Sequence, residues 1–167
     1  MKPYRMKKLL TIALFLIFCN SYAQSPAKLY NPDADVSAAI SQALVHAKSE
    51  NKHLFIQIGG NWCPWCLKFH KFCTNDTEIS SSLSKNYITI KLNYSKENRN
   101  LAELKKLGFP QRFGFPVFVI LDANGTRIHT QSSAYLEEGD AYSKKKVLEF
   151  LRLWSPAALQ PDLYIEK

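Results

Sequence analysis

His53-Leu54-Phe55-Ile56-Gln57-Ile58-Gly59-Gly60-Asn61-Trp62-Cys63-Pro64-Trp65-Cys66 is the stretch on which the fold turns. His53 to Ile58 is short, apolar and rich in β-branched and aromatic residues, and Gly59-Gly60 bounds it, which predicts a buried strand. The cysteine pair follows at once. Two cysteines separated by two residues close a disulfide only where the backbone brings their Cα atoms to about 5.5 Å, and the first turn of a helix does this. Pro64 then falls at the first helical position, where its missing N–H costs nothing and its fixed φ suits the helix. Cys63 is left at the N-cap, where unpaired backbone N–H groups and the helix dipole favour thiolate over thiol. That makes Cys63 the candidate attacking sulfur and Cys66, one turn deeper, the candidate resolving sulfur.

Working outward, Asp35 to Asn51 places Val36, Ala39, Ile40, Ala43, Leu44 and Ala47 at helical spacing behind the start signal Asn31-Pro32-Asp33. Cys66 to Cys73 reads as a helix with Phe69, Phe72 and Cys73 on one stripe, and a polar helix is predicted from Asp76 to Lys85. Tyr87 to Tyr94 reads as a strand, Asn98 to Leu107 as a helix ending at Gly108, and Val117 to Leu121 as an apolar strand. Asn124-Gly125 predicts a type I′ turn that pairs Arg127 to Gln131 antiparallel with that strand. Tyr142 to Trp154 makes a closing helix, and Ser155 onward reads as a loosely held tail. Strands alternating with helices and then an antiparallel edge indicate an α/β fold, a central mixed sheet with helices on both faces.

Trp62-Cys63-Pro64-Trp65-Cys66 directly after a strand resembles the active site of the thioredoxin superfamily, and is most similar to small exported thioredoxin-like proteins with a Trp-Cys-x-Trp-Cys segment. The agreement in element order runs from about Val36 to Trp154. The resemblance implies a thiol-disulfide oxidoreductase without a cofactor. It also implies a cis-proline facing the cysteines. Gly-Phe-Pro occurs twice, at Gly108-Phe109-Pro110 and Gly114-Phe115-Pro116, and only Pro116 leads directly into an apolar strand, so Phe115 and Pro116 take that role. Trp62, Pro64 and Trp65 are expected beside them at the surface that client peptides touch. Family members usually carry a buried acid six residues before the first cysteine, where this chain has Gln57; Lys91 resembles the lysine that partners that acid. An amide accepts no proton as a base, so resolution by Cys66 is expected to be slower than in a typical member.

The N-terminus has a separate character. Lys2, Arg5, Lys7 and Lys8 precede the apolar run Leu9 to Phe18 and the small residues of Ser21-Tyr22-Ala23, the order of a secretory signal peptide. A membrane anchor needs roughly 20 apolar residues, about twice this run. The predicted organisation is therefore a signal peptide over residues 1–23, a lead segment over 24–34, the thioredoxin-like domain over 35–154 and a tail over 155–167, with the mature chain exported to the periplasm or cell envelope. Removal of residues 1–23 leaves 18 Lys/Arg against 14 Asp/Glu, lowering the formal charge from +8 to +4. The remaining cations are scattered apart from Lys144-Lys145-Lys146, read as a solvated helix start, and form no stripe for nucleic acid.

The expected partners are client proteins with disulfides or oxidised thiols and a membrane-bound electron donor, met by a monomer. Neither Pro64 nor Trp65 is cationic, so the thiolate lacks the side-chain stabilisation of a strong oxidant, and the reducing direction is favoured. Cys73 stands about 10.5 Å along the helix from Cys66, too far to bridge, and reads as a core thiol. His70, one turn past Cys66, offers the alternative: a non-catalytic module binding a metal or a client through Cys63, Cys66 and His70. The bare pair already has a complete explanation, so no metal is assigned, and His46, His53 and His129 read as structural.

Overall fold

The computed structural model describes residues 28–165; the predicted signal peptide lies outside them. In chain order the elements are α1 (Val36–Ser49), β1 (His53–Gly59), α2 (Pro64–Asn75), α3 (Thr77–Asn86), β2 (Tyr87–Asn93), α4 (Leu101–Lys106), β3 (Val117–Leu121), β4 (Arg127–Ser132), the two-residue strands β5 (Glu137–Glu138) and β6 (Ala141–Tyr142), and α5 (Lys144–Leu153). The main sheet has the order β2-β1-β3-β4, with β1 parallel to β2 and the other neighbours antiparallel.

Side-chain alternation divides the core. Leu54, Ile56, Ile58, Leu92, Val117, Val119 and Leu121 point to one face, where Val36 and Ala43 of α1 and Leu104 of α4 cover them. Phe55, Phe118 and Ile120 point to the other, against Phe69 and Cys73 of α2, Ile79 of α3 and Val147, Phe150 and Leu151 of α5. Every residue of β1 and β3 is buried, which is why β3 reads as a continuous apolar run and Leu54 to Ile58 of β1 as one interrupted only by Gln57. Helices on both faces of a mixed sheet agree with the expected fold class.

Several boundaries moved, each for a local reason. α4 begins at Leu101 rather than Asn98, because the Asn98 amide donates to Pro32 O (2.9 Å) and the Asn100 amide to Asn93 O (2.8 Å), fixing a loop there. α5 begins at Lys144 after Ser143, while Tyr142 lies in β6 with its ring buried. The β3–β4 connection differs from the expected type I′ turn, which needs positive φ at both central residues. Only Gly125 has it (φ 86°), and Gly125 N donates to Asp122 O at 3.0 Å. Asp122 carboxylate receives the N–H groups of Asn124 and Thr126 at 2.9 and 2.8 Å, supporting a turn that starts one residue earlier. Lys144 is not merely solvated: its Nζ lies 2.9 Å from both Asp76 and Glu78. The tail carries two short 3-10 turns, Ala157–Leu159 and Pro161–Leu163, and leaves Leu163, Tyr164 and Ile165 exposed.

Candidate active site

The site forms where β1 ends and α2 begins. Cys63 is the N-cap of α2, with extended backbone (φ −98°, ψ 103°), and Pro64 occupies the first turn. Cys63 and Cys66 are joined as a disulfide with Cα atoms 5.2 Å apart. Cys63 Sγ accepts the Cys66 N–H at 3.1 Å, so a helix-terminal donor is aimed at that sulfur.

Aromatic rings frame the disulfide. Trp62 is 55% exposed, donates its indole N–H to Tyr94 O at 2.6 Å and meets the Phe115 ring edge-on at 5.4 Å. Phe115 stacks on Tyr94 at 4.8 Å, and the Phe115–Pro116 bond is cis, the one of the two Gly-Phe-Pro prolines so disposed. Trp65 turns the other way: it packs edge-on to the Tyr142 ring at 5.3 Å with Lys68 Nζ 4.3 Å above its own ring. Trp62 and Phe115 thus make the open rim, while Trp65 braces α2 against β6. Cys63 itself is only 3% exposed, with Leu29, Trp65 and Phe115 packed against the cluster that the pair forms with Tyr30.

Beneath the pair, Gln57 and Lys91 are direct neighbours across the β1–β2 ladder. Lys91 Nζ donates to Gln57 Oε1 at 2.6 Å, and Gln57 Nε2 donates to Cys66 O at 3.0 Å and to Tyr30 Oη at 2.7 Å. Burial pulls the Lys91 ammonium down to about 8. The same two residues line a cleft of about 260 Å³ with His70 and Cys73. Burial and then the Lys91 charge lower the basicity of His70, and burial pushes the Cys73 thiol up to about 12. Cys73 is a free, buried thiol in the aromatic core. Among the described residues no group of three or more His, Cys, Asp or Glu is arranged to hold a metal. His53 Nδ1 pairs with Trp154 O at 2.8 Å and His129 stacks on the Trp154 ring at 4.0 Å, both supporting the closing helix.

Tyr30, in the lead segment, is the residue that sequence reasoning missed. It is fully buried against Cys63 and Cys66. Asn61 clamps it like a paired strand, accepting Tyr30 N–H at 3.1 Å and donating to Tyr30 O at 2.7 Å. Its one signal was an aromatic residue just ahead of the Asn31-Pro32-Asp33 start; nothing in the local pattern says where that ring goes. The two glycines gain a role as well. A Cβ on Gly59 would overlap Cys66 Sγ and stand 3.0 Å from Tyr30 Oη, and one on Gly60 would stand 2.7 Å from Tyr94 O. They end the strand and also leave space for the cysteine and the Trp62 indole.

Comparison with known proteins agrees with this architecture. A disulphide isomerase from Xylella fastidiosa Temecula1 superposes with a TM-score of 0.68 at 22% identity, over 77% of this chain and 97% of that one. The C-terminal domain of DsbD from Neisseria meningitidis, in its oxidised form, gives 0.52 at 18% identity over 71% and 95%. At these identities the likeness is one of fold. No curated protein sequence matches the chain. The thioredoxin-like domain family matches residues 40–141, from α1 to the start of β6, and the chain belongs to that family.

Proposed function

We propose that this chain is a thiol-disulfide oxidoreductase that reduces protein disulfides in the cell envelope. The observation that carries the proposal is the Cys63–Cys66 pair on the first turn of α2, with the Cys66 N–H on Cys63 Sγ beside an exposed aromatic rim. In the reduced protein, Cys63 thiolate attacks one sulfur of a client disulfide. A Cys63–client bond forms, the client S–S bond breaks, and the departing client thiolate takes a proton from water. Cys66 then gives up its proton and attacks Cys63 Sγ, forming the intramolecular disulfide and releasing the second client thiolate. Two electrons pass from the dithiol to the client.

A client strand lies against the rim of Trp62 and Phe115 and pairs along the backbone at Pro116, Pro64 holds the helix start, and Gln57 and Lys91 are the polar groups beneath Cys66. The absence of a cation at positions 64 and 65 supports the reducing direction. A dithiol donor at the membrane returns the pair to its reduced state, and the N-terminal signal pattern supports export. Among the described residues no helix is long and apolar enough to cross a membrane.

The test is reduction of insulin disulfides by the mature chain, lost in Cys63→Ser, together with Cys66→Ala, which leaves clients attached to Cys63. An inert wild type refutes turnover and leaves a binding module. A measured potential near the strong-oxidant value of about −120 mV refutes the direction.

A further inference from the structure

The hydrogen-bond pattern around Gln57 leaves the hydroxyl proton of Tyr30 uncommitted. A lysine ammonium only donates, so the Gln57 atom facing Lys91 Nζ is the amide oxygen, and the NH2 group necessarily faces Tyr30 Oη and Cys66 O. Both amide protons are then committed. Tyr30 Oη receives one of them, so its own O–H is free to donate. The phenol is buried in a cluster whose other fully enclosed members are Cys63 and Cys66. Tyr30 Oη and Cys66 Sγ crowd the same side of the Gly59 backbone, at the spot a Cβ would fill. The Tyr142 hydroxyl is turned elsewhere, to Trp65 O at 3.2 Å.

We propose that Tyr30 donates its phenolic hydrogen bond to the Cys66 sulfur and so stabilises the resolving thiolate, a role distinct from the proton acceptance that an amide at position 57 does not perform. In the disulfide that sulfur is a weak acceptor and takes no hydrogen bond from Tyr30; once the disulfide is reduced and the thiolate forms, the acceptor becomes charged and the bond forms. Burial raises the Tyr30 phenol well above its ordinary range, so it stays protonated and acts as a donor, not a base. The Cys66 proton itself leaves to water or to the departing client thiolate. The lead segment is therefore part of the chemistry: Asn61 holds the Tyr30 backbone, Gln57 orients its hydroxyl, and Lys91 orients Gln57.

This inference rests on the proposed exchange reaction, but its test does not require turnover. The mature chain carrying Cys63→Ser and Cys73→Ala has Cys66 as its single thiol, whose thiolate is followed by ultraviolet absorbance against pH. Adding Tyr30→Phe keeps the ring and removes the donor; the thiolate fraction at neutral pH is expected to fall about tenfold, the size of a hydrogen bond to a charged group. Replacing Tyr30 with 3-fluorotyrosine strengthens the donor without removing it, so the curve should move the opposite way. In the otherwise wild-type protein, Tyr30→Phe is expected to prolong the Cys63–client mixed disulfide about threefold, because the tenfold lower thiolate fraction is partly offset by the higher nucleophilicity of the more basic thiolate. Unchanged titration in both Tyr30 replacements overturns the proposal, even if insulin is reduced. A titration shift in a protein that fails to reduce insulin upholds Tyr30 and refutes the oxidoreductase function.

Discussion

Lys91 gives a quantitative handle on the polar cluster beneath the disulfide. Its ammonium is held by Gln57 Oε1 in a partly enclosed cleft, and burial lowers it from 10.5 to about 8. Well below pH 8 both native and unfolded chains carry the charge, and the native state bears the full cost of burying it. Between pH 8 and 10.5 the unfolded chain keeps a proton that the native state has lost, so stability rises with pH. The folded value is the depressed one, so the stabilisation is complete above the unfolded value and is lost as pH falls through about 8. The full difference is at most about 3 kcal/mol, of which about 2 kcal/mol is expressed between pH 7 and 9.5. Lys91→Met keeps the aliphatic stem and removes the charge; it leaves Gln57 Oε1 unpaired, a cost of about 1–3 kcal/mol that does not vary with pH. Urea unfolding of the oxidised protein at a series of pH values measures both chains. Both carry Cys73→Ala, so that no free thiol attacks the disulfide when unfolded. The stability difference should move by about 2 kcal/mol in favour of Lys91 across that window. A difference that stays constant from pH 7 to 9.5 refutes the reasoning, because all other titrating groups are common to the two proteins.

Gly59→Ala forces a Cβ into Cys66 Sγ, so it should cost about 1–3 kcal/mol in urea unfolding and make the disulfide easier to reduce with dithiothreitol. Asp76 caps α3 by accepting the N–H groups of Glu78 and Ile79 at 3.0 and 3.1 Å and also meets Lys144, so Asp76→Ala should lower stability by about 1 kcal/mol, read as a fall in Tm. Cys73 is buried and its thiol is pushed up to about 12, so in Cys63→Ser/Cys66→Ser protein it should stay unreactive toward an aromatic disulfide reagent at pH 8 until urea is added. Leu29→Ala removes one of the side chains packed against the cluster of Tyr30, Cys63 and Cys66, and the rate of reduction of the disulfide by a small dithiol should rise while Tm changes little.

The elements that the sequence foretold are those whose signal is local. Short, mainly apolar runs named β1 and β3 because both faces of those strands are covered, and Cys63-Pro64 named the start of α2 because cap and first-turn chemistry are read within four residues. Boundaries slipped where side chains compete with the helix for backbone groups, as Asn98 and Asn100 do before α4. The site divided in the same way. Cys63 and Cys66 were legible from one pentapeptide, which placed Trp62 and Trp65 alike at the client surface. The partners of Gln57 were half legible: Lys91 through a likeness, Tyr30 not at all, because they lie 34 and 27 residues away.

The two Gly-Phe-Pro triplets mark where local information stops. At Gly108-Phe109-Pro110 the phenylalanine takes a left-handed conformation (φ 58°), is half exposed and leads into a 3-10 turn. At Gly114-Phe115-Pro116 the same three residues form the cis bond, with Phe115 held between Trp62 and Tyr94. By itself the sequence determined a disulfide-forming pair on a helix start and a sheet buried on both sides, since capping and alternation act between residues a few positions apart. Only the tertiary structure decided which tryptophan stays open and that Tyr30 lies against Cys66, whereas the choice of Pro116, already made from the strand that follows it, agrees with the cis bond found there. Those outcomes depend on contacts between segments that only the closed sheet brings together.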